Sequence, residues 1–302
     1  MDTEAERRVD QDDRRSLRAV RPAQRSTGPR QAARHDPAPV SGGGRARAGR
    51  RWLWPLASAV LALAVLQLAV VAGALPSRYF PDVPELLSAF GAALGTGVFW
   101  TAVLDTAGCA AAGLALAALI AVPTGVFVGR SGVLFHATRF IIEFLRPIPV
   151  VAIIPLVVLL YGTGFEATLF LVVFAAVFPI LLQTVYGVRD TDPVALATAR
   201  SYRLGRLREF LVVVLPSALP FVVTGLRISA SLALLVALSA EIVIGAPGLG
   251  QQIVLAQSGN ATAQMYALIL ATGLVGVLFN GLLARAAGMA APWAAQRRGD
   301  ES

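Results

Sequence analysis

Apolar runs long enough to cross a membrane recur along this chain, and nothing else in its 302 residues constrains the fold as tightly. A bilayer core of ~30 Å takes about 20 helical residues, and every backbone N–H and C=O inside it must be bonded within the protein. Six stretches reach or approach that length: residues 52–75, 106–128, 140–161, 167–188, 217–244 and 263–284. The expected fold is an all-α polytopic membrane protein with about six transmembrane helices. Pro147, Pro149 and Pro155 interrupt the third stretch. Each removes a helical donor, so this span is expected to kink and to open a path between its neighbours.

Residues 1–51 are of another kind. They hold thirteen arginines and seven acids, with prolines and the run SGGGRARAGRR, and almost no large apolar residue. Such a segment cannot bury a core and is expected to be a disordered cytoplasmic tail facing lipid headgroups. No aromatic is interleaved among its arginines, so nucleic acid is not an expected partner. The apolar run begins too late for a secretory signal. All 26 basic residues are arginine. A standard phosphate-binding P-loop needs its lysine, so this chain is not itself an ATPase of that kind. One cysteine, Cys109, makes no intrachain disulfide, and the two histidines are far apart, so no metal site is expected.

Arginine distribution orients the spans, because loops rich in basic residues stay cytoplasmic. The connection after the first stretch holds Arg78 alone. Arg130, Arg139 and Arg146 flank the entry to the third stretch, and the next connection has none. Arg189, Arg200, Arg203, Arg206 and Arg208 fill the following one, the one after has none, and Arg285, Arg297 and Arg298 lie at the end. The alternation places both termini and the loop 189–216 in the cytoplasm. The expected organisation is therefore a tail (1–51), a first helix (52–75), an outer connector (76–100), a membrane core (101–290) and a short cytoplasmic tail (291–302).

The connector contains FPDVPELLSAFGAALGTGVFW. Asp82 reads as an N-cap and Pro84 as a first-turn residue. Leu86, Leu87, Phe90, Ala93 and Leu94 recur at helical spacing, which fits either an amphipathic helix on the outer surface or a connecting helix packed on the body.

The loop 189–216 has internal order. Asp192 and Pro193 look like an N-cap and first helical residue, and Val194–Tyr202 can continue as helix. Arg200 and Arg203 would share a face. Gly205 is expected to end the helix in the left-handed conformation. An apolar ramp then leads back to the membrane through Pro216 and Pro220. A helix, a glycine turn and a ramp fit a docking surface for a cytoplasmic partner; a plain basic loop is the other reading.

An Asp-Pro pair, a short helix, a turn and a ramp ending in Leu-Pro resemble the signature of ABC importer permeases, most of all the nitrate/sulfonate/taurine/bicarbonate type. Other pieces follow the same order: GVFVGRS, FLRPIPVVAIIPLVVLLYGTG, FPILLQTVYGVRDTDP, VVVLPSALPFVVTGLRISASLAL and AEIVIGAPGLGQQI. The resemblance covers roughly residues 76–290. It implies a type I importer permease fold in a bacterial cytoplasmic membrane and a non-catalytic role. It further implies two copies forming the pathway and two separate ATPase subunits, which bind ATP and Mg and dock on residues 193–208. An extracytoplasmic binding protein would deliver a small anion. Counted back from Pro216, the family's Glu-Ala-Ala positions hold Ala197, Thr198 and Ala199, and its glycine position holds Arg203.

Charges in or beside spans are costly and mark function. Asp105, Glu143, Arg146 and Glu166 read as interfacial. Arg227 and Glu241 fall within one span, fourteen residues apart, too far to pair. The resemblance implies that Arg227 starts this helix near the cytoplasm and that Glu241 ends it near an outer gate. Pro147, Pro149, Gly248 and Gly250 complete the candidate pathway residues, with a turn expected at 247–250. An ion-coupled secondary transporter is the alternative; it would show inverted repeats and acids at mid-depth.

Overall fold

The computed structural model describes residues 53–76 and 79–290; the expected tails 1–51 and 291–302 lie outside them. Residues from Ala57 onward form one unit, and of the unit ending at Leu56 only 53–56 are described, as helical residues. Every regular element among the described residues is helical. Helix α1 is Leu53–Val71 and α2 is Val83–Leu94. Helices α3 (Gly97–Arg130) and α4 (Gly132–Leu145) follow. Then come α5 (Ile154–Tyr161), α6 (Phe165–Arg189) and α7 (Pro193–Ser201). Helices α8 (Leu215–Ile244), α9 (Leu249–Ser258) and α10 (Thr262–Ala290) complete the order. Four helical runs, those of α3, α6, α8 and α10, are long and apolar enough to cross a membrane among the described residues.

The third expected span departs from a simple crossing. Helix α4 and the segment Val150–Tyr161 are bent by 82° at the Pro147–Pro149 break. Pro149 begins a 3-10 turn, Val150–Ile153, and Pro155 sits in the first turn of α5, where a missing N–H costs nothing. Counting this bent pair as one crossing gives five spans. The second span begins earlier than expected, because the Thr96 hydroxyl caps α3 by accepting from the Phe99 N–H at 3.3 Å. Residues 97–100 thus belong to α3 and not to the connector. Helix α2 keeps Leu86 buried and packs along α10, so it is a packed connecting helix.

Helix α6 is the centre of the body, flanked by α3 and α8. The approach is close because glycines line both contacts. A Cβ at Gly125 would lie 2.7 Å from the Thr184 Cβ, and one at Gly129 would lie 2.8 Å from the Val188 Cβ. Gly113 faces Val172 in the same way. Across the other face, Gly187 lies against Ala218 and Phe221, and Gly225 against Pro179 and Ile180. Small residues allow backbones to approach and gain dispersion contacts where lipid offers no hydrophobic drive. Ala110, Ala117, Ala121, Ala176 and Ala230 fill the resulting core. The side of α3 away from this core exposes Leu104, Leu119, Ile120 and Phe127, the composition of a lipid-facing surface.

Candidate functional site

Two constructions lie at opposite ends of this core. At one end, α3, α6 and the ramp before α8 bring their arginines together. Arg189 stacks over the Phe135 ring at 4.0 Å, and Arg130 over the Phe210 ring at 5.3 Å. These contacts put the arginine-bearing connections at one end of the molecule.

Helix α7 begins here as the sequence leads one to expect. Asp192 is its N-cap, with the side chain accepting from the Val194 N–H at 2.8 Å, and Pro193 takes the first turn. Leu196 packs against Val188, Val214 and Ala218, and Ala199 is 4% exposed. The opposite side stays open: Ala197, Thr198, Arg200, Tyr202 and Arg203 are exposed, as are the apolar side chains of Val194 and Leu207. Arg200 forms an ion pair at 3.5 Å with Glu209, whose side chain is only 13% exposed.

The helix does not end where the glycine suggested. Arg203 takes the left-handed conformation, with φ of 54°. Its N–H donates to the Arg200 carbonyl at 2.9 Å, and the Leu204 N–H donates to the Ala199 carbonyl at 3.1 Å. That pair of bonds closes the helix around a left-handed residue. Gly205 instead has φ of −61° and ψ of 156°, an extended conformation open to any residue. The expectation of a left-handed Gly205 is therefore corrected. Five residues after the turn, Phe210–Val214 form a π turn, and Pro216 lies in the first turn of α8, where its ring is tolerated. The run from Arg206 to Ile244 is 39 residues long.

At the other end, Glu241 is 1% exposed. Its Oε2 accepts from the Thr106 hydroxyl and from the Gly250 N–H, both at 2.9 Å. The Thr106 oxygen in turn accepts from the Leu249 N–H at 2.9 Å. One carboxyl thus ties α8, α3 and the start of α9. The turn expected at 247–250 is the entry to α9, and Gly248, with φ of 152°, is its N-cap. A Cβ at Gly248 would collide with the Glu241 carboxyl, and one at Gly250 would lie 2.7 Å from the Glu241 Cβ, so both glycines are required by close approach. Oε1 of Glu241 has no hydrogen-bond partner among the described residues.

The remaining expected residues are placed apart from both. Pro147 and Pro149 are exposed at the bend. Arg227 does not start its helix: it is the thirteenth residue of α8, well inside the membrane-length run. Asp105 and Glu166 are exposed near the starts of α3 and α6. Sequence reasoning missed Thr106, which lies 135 positions from Glu241, and Glu209, which carries no motif signal. A cavity of about 490 Å³ between α2, α3, α9 and α10 is lined by Thr96, Phe99, Gln252, Gln264 and Leu268 together with alanines, so it offers amides and a hydroxyl but no charge.

The chain is 30% identical over 232 residues to the putative aliphatic sulfonates transport permease protein of Escherichia coli, covering 76% of this chain and 88% of that one. It is 31% identical over 193 residues to the nitrate import permease protein of Leptolyngbya laminosa, covering 64% of this chain and 69% of that one. A bicarbonate transport system permease protein of Synechocystis is 33% identical over 188 residues, covering 62% and 67%. Among solved structures, a chain of the MetNI methionine ABC transporter in an inward-facing form matches with a TM-score of 0.53 at 22% identity, covering 62% of this chain and 95% of that one, which shows a shared fold. Residues 121–295 match a family model, and the chain belongs to that family, the binding-protein-dependent transport system inner membrane components.

Proposed function

We propose that the chain is the non-catalytic permease subunit of an ATP-binding cassette importer for a small anion of the nitrate, bicarbonate or sulfonate class. The relatives named for those solutes support the substrate class. The observation that carries the mechanism is α7: one face is packed on the body through Leu196 and Ala199, and the other is open, with arginines and exposed apolar residues. Two separate ATPase subunits, which bind ATP and Mg, dock on residues 193–208 from the cytoplasm. A second permease copy completes the pathway, and an extracytoplasmic binding protein delivers the solute at the Glu241 end.

Force follows a continuous route in this reading. Closure of the ATPase pair displaces α7. Leu196 against Val214 and Ala218, and Arg200 against Glu209, pass the displacement to the 39-residue run 206–244. Glu241 lies in the last turn of that run, so motion of α8 bears directly on its ties to Thr106 and Gly250. The π turn at Phe210–Val214 is a place where the run can bend, since such turns weaken the helical ladder. Cells carrying the chain with its ATPase and binding protein should take up labelled nitrate, bicarbonate or ethanesulfonate at the expense of ATP. Uptake that instead follows a proton or sodium gradient and ignores ATP depletion would replace this reading with secondary transport.

A further inference from the structure

Arg227 stands at the middle of the membrane-length body. Helices α8 and α6 run antiparallel, with Gly225 against Pro179 and Ile180, and the Ser229 hydroxyl donating to the Ala176 carbonyl at 2.7 Å. Arg227 is therefore level with residues 176–180, the centre of α6, some 15–20 Å from either end of that helix. The other described charges of the four long helices (Asp105, Arg130, Glu166, Arg189, Glu241 and Arg285) lie toward helix ends. Arg227 is exposed and forms no ion pair or hydrogen bond among the described residues. Thr224 and Ser231, about one turn to either side of it, are exposed and polar and lie within about 60° of it around the helix, with the exposed Ile228 and Leu235 at the edges of that face. Ser231 donates to the Asn280 Oδ1 of α10 at 3.2 Å, which leaves the Asn280 amide N–H groups as donors. At the same depth, by contrast, the exposed side of α3 carries Leu116, Leu119 and Ile120. An unpaired guanidinium against hydrocarbon is expensive, so a polar face of this kind belongs to a water-filled path or its lining. The cavity lined by Gln252 and Gln264 has no charge to offer an anion.

We propose that Arg227, with the Asn280 amide that is bonded to Ser231 one turn along α8, is the electropositive waist of the solute pathway and the mid-membrane contact for the transported anion. A guanidinium presents paired N–H donors in a plane, which matches two oxygens of a nitrate, bicarbonate or sulfonate group. No carboxylate pairs with it among the described residues, so an entering oxyanion meets an unpaired cation. The assignment deepens the reading of the chain as an anion permease and rests on it for the identity of the cargo.

The test uses the full chain, assembled with its partners in membranes, in a Cys109→Ala background with Thr224→Cys as a reporter one turn from Arg227. The reporter should react with both sulfonatoethyl and trimethylammonioethyl methanethiosulfonate, and faster with the anionic reagent. Arg227→Gln should lower the anion-to-cation rate ratio about tenfold, the effect of one charge acting over several ångströms. Arg227→Lys should preserve the ratio. Because Arg227→Gln removes a charge from the span, it does not burden insertion. A ratio unchanged by Arg227→Gln, or a reporter inert to both reagents, would overturn the assignment. Uptake separates the two levels. If the native importer takes up none of labelled nitrate, bicarbonate and ethanesulfonate, the substrate reading falls while a ratio that drops in Arg227→Gln still supports the electropositive waist. If native uptake is present and Arg227→Gln retains it unchanged, the assignment of Arg227 falls alone.

Discussion

At the residue scale, Arg203 carries a cost that its neighbour Gly205 does not relieve. A left-handed non-glycine residue costs about 1–2 kcal/mol, and Arg203 adopts that conformation with φ of 54°. Arg203→Gly should therefore stabilise the end of α7 by about 1 kcal/mol. Chymotryptic cleavage after the exposed Tyr202, in vesicles that present this loop to the protease, should slow accordingly. Gly205→Val should be tolerated, because the backbone is extended there and nothing lies within 4 Å of a new Cβ. The same scale decides the Glu241 tie. Glu241→Gln keeps an acceptor for Thr106 and Gly250 and should fold normally. Glu241→Ala strands two buried donors, at about 1–3 kcal/mol each, and should lower the melting temperature of the purified protein in detergent. Equal melting of the two variants would show that the hydrogen bonds do not hold α9 in place.

Elements in this protein are held by shape more than by amphipathicity. The contact of α3 with α6 runs over Gly113, Gly125 and Gly129, with Val172, Thr184 and Val188 filling the gaps. Gly125→Val would push a branched side chain into the Thr184 Cβ, 2.7 Å from the position of the first added atom, and into backbone beyond it. Overpacking of that kind costs typically about 1–3 kcal/mol. Gly108→Ala, on the same helix with open space around it, should cost nothing. The comparison is read as the loss of monodisperse protein on heating in detergent, and equal losses would mean that the α3–α6 contact is looser than its geometry.

For the whole molecule, the two ends differ in chemistry. Arginines converge at the α7 end, and an uncharged helix, α9, closes the Glu241 end. The basic end should be cytoplasmic. In a Cys109→Ala background, Ser258→Cys should react with an impermeant thiol reagent in intact cells, and Tyr202→Cys should react only after permeabilisation. The opposite pattern would invert the orientation, and with it the assignment of α7 as the docking site for an ATPase.

Apolar length, arginine spacing and helix punctuation are local properties, and the sequence by itself was enough for them. It determined an all-helical membrane body, the break at Pro147–Pro149 and the capped start of α7 at Asp192, because each follows from bonds within a few residues. Tertiary structure alone decided the rest. The pairing of Thr106 with Glu241 spans 135 positions, and the mid-depth of Arg227 depends on how α8 is registered against α6. The left-handed residue of the α7 turn fell to Arg203 because the Arg203 N–H bonds back to Arg200 and the Leu204 N–H to Ala199, and Leu196 and Ala199, seated on the body, set where the helix must stop. Local propensity favoured Gly205 for that role, but long-range packing chose the register, and the backbone at Arg203 carries the strain.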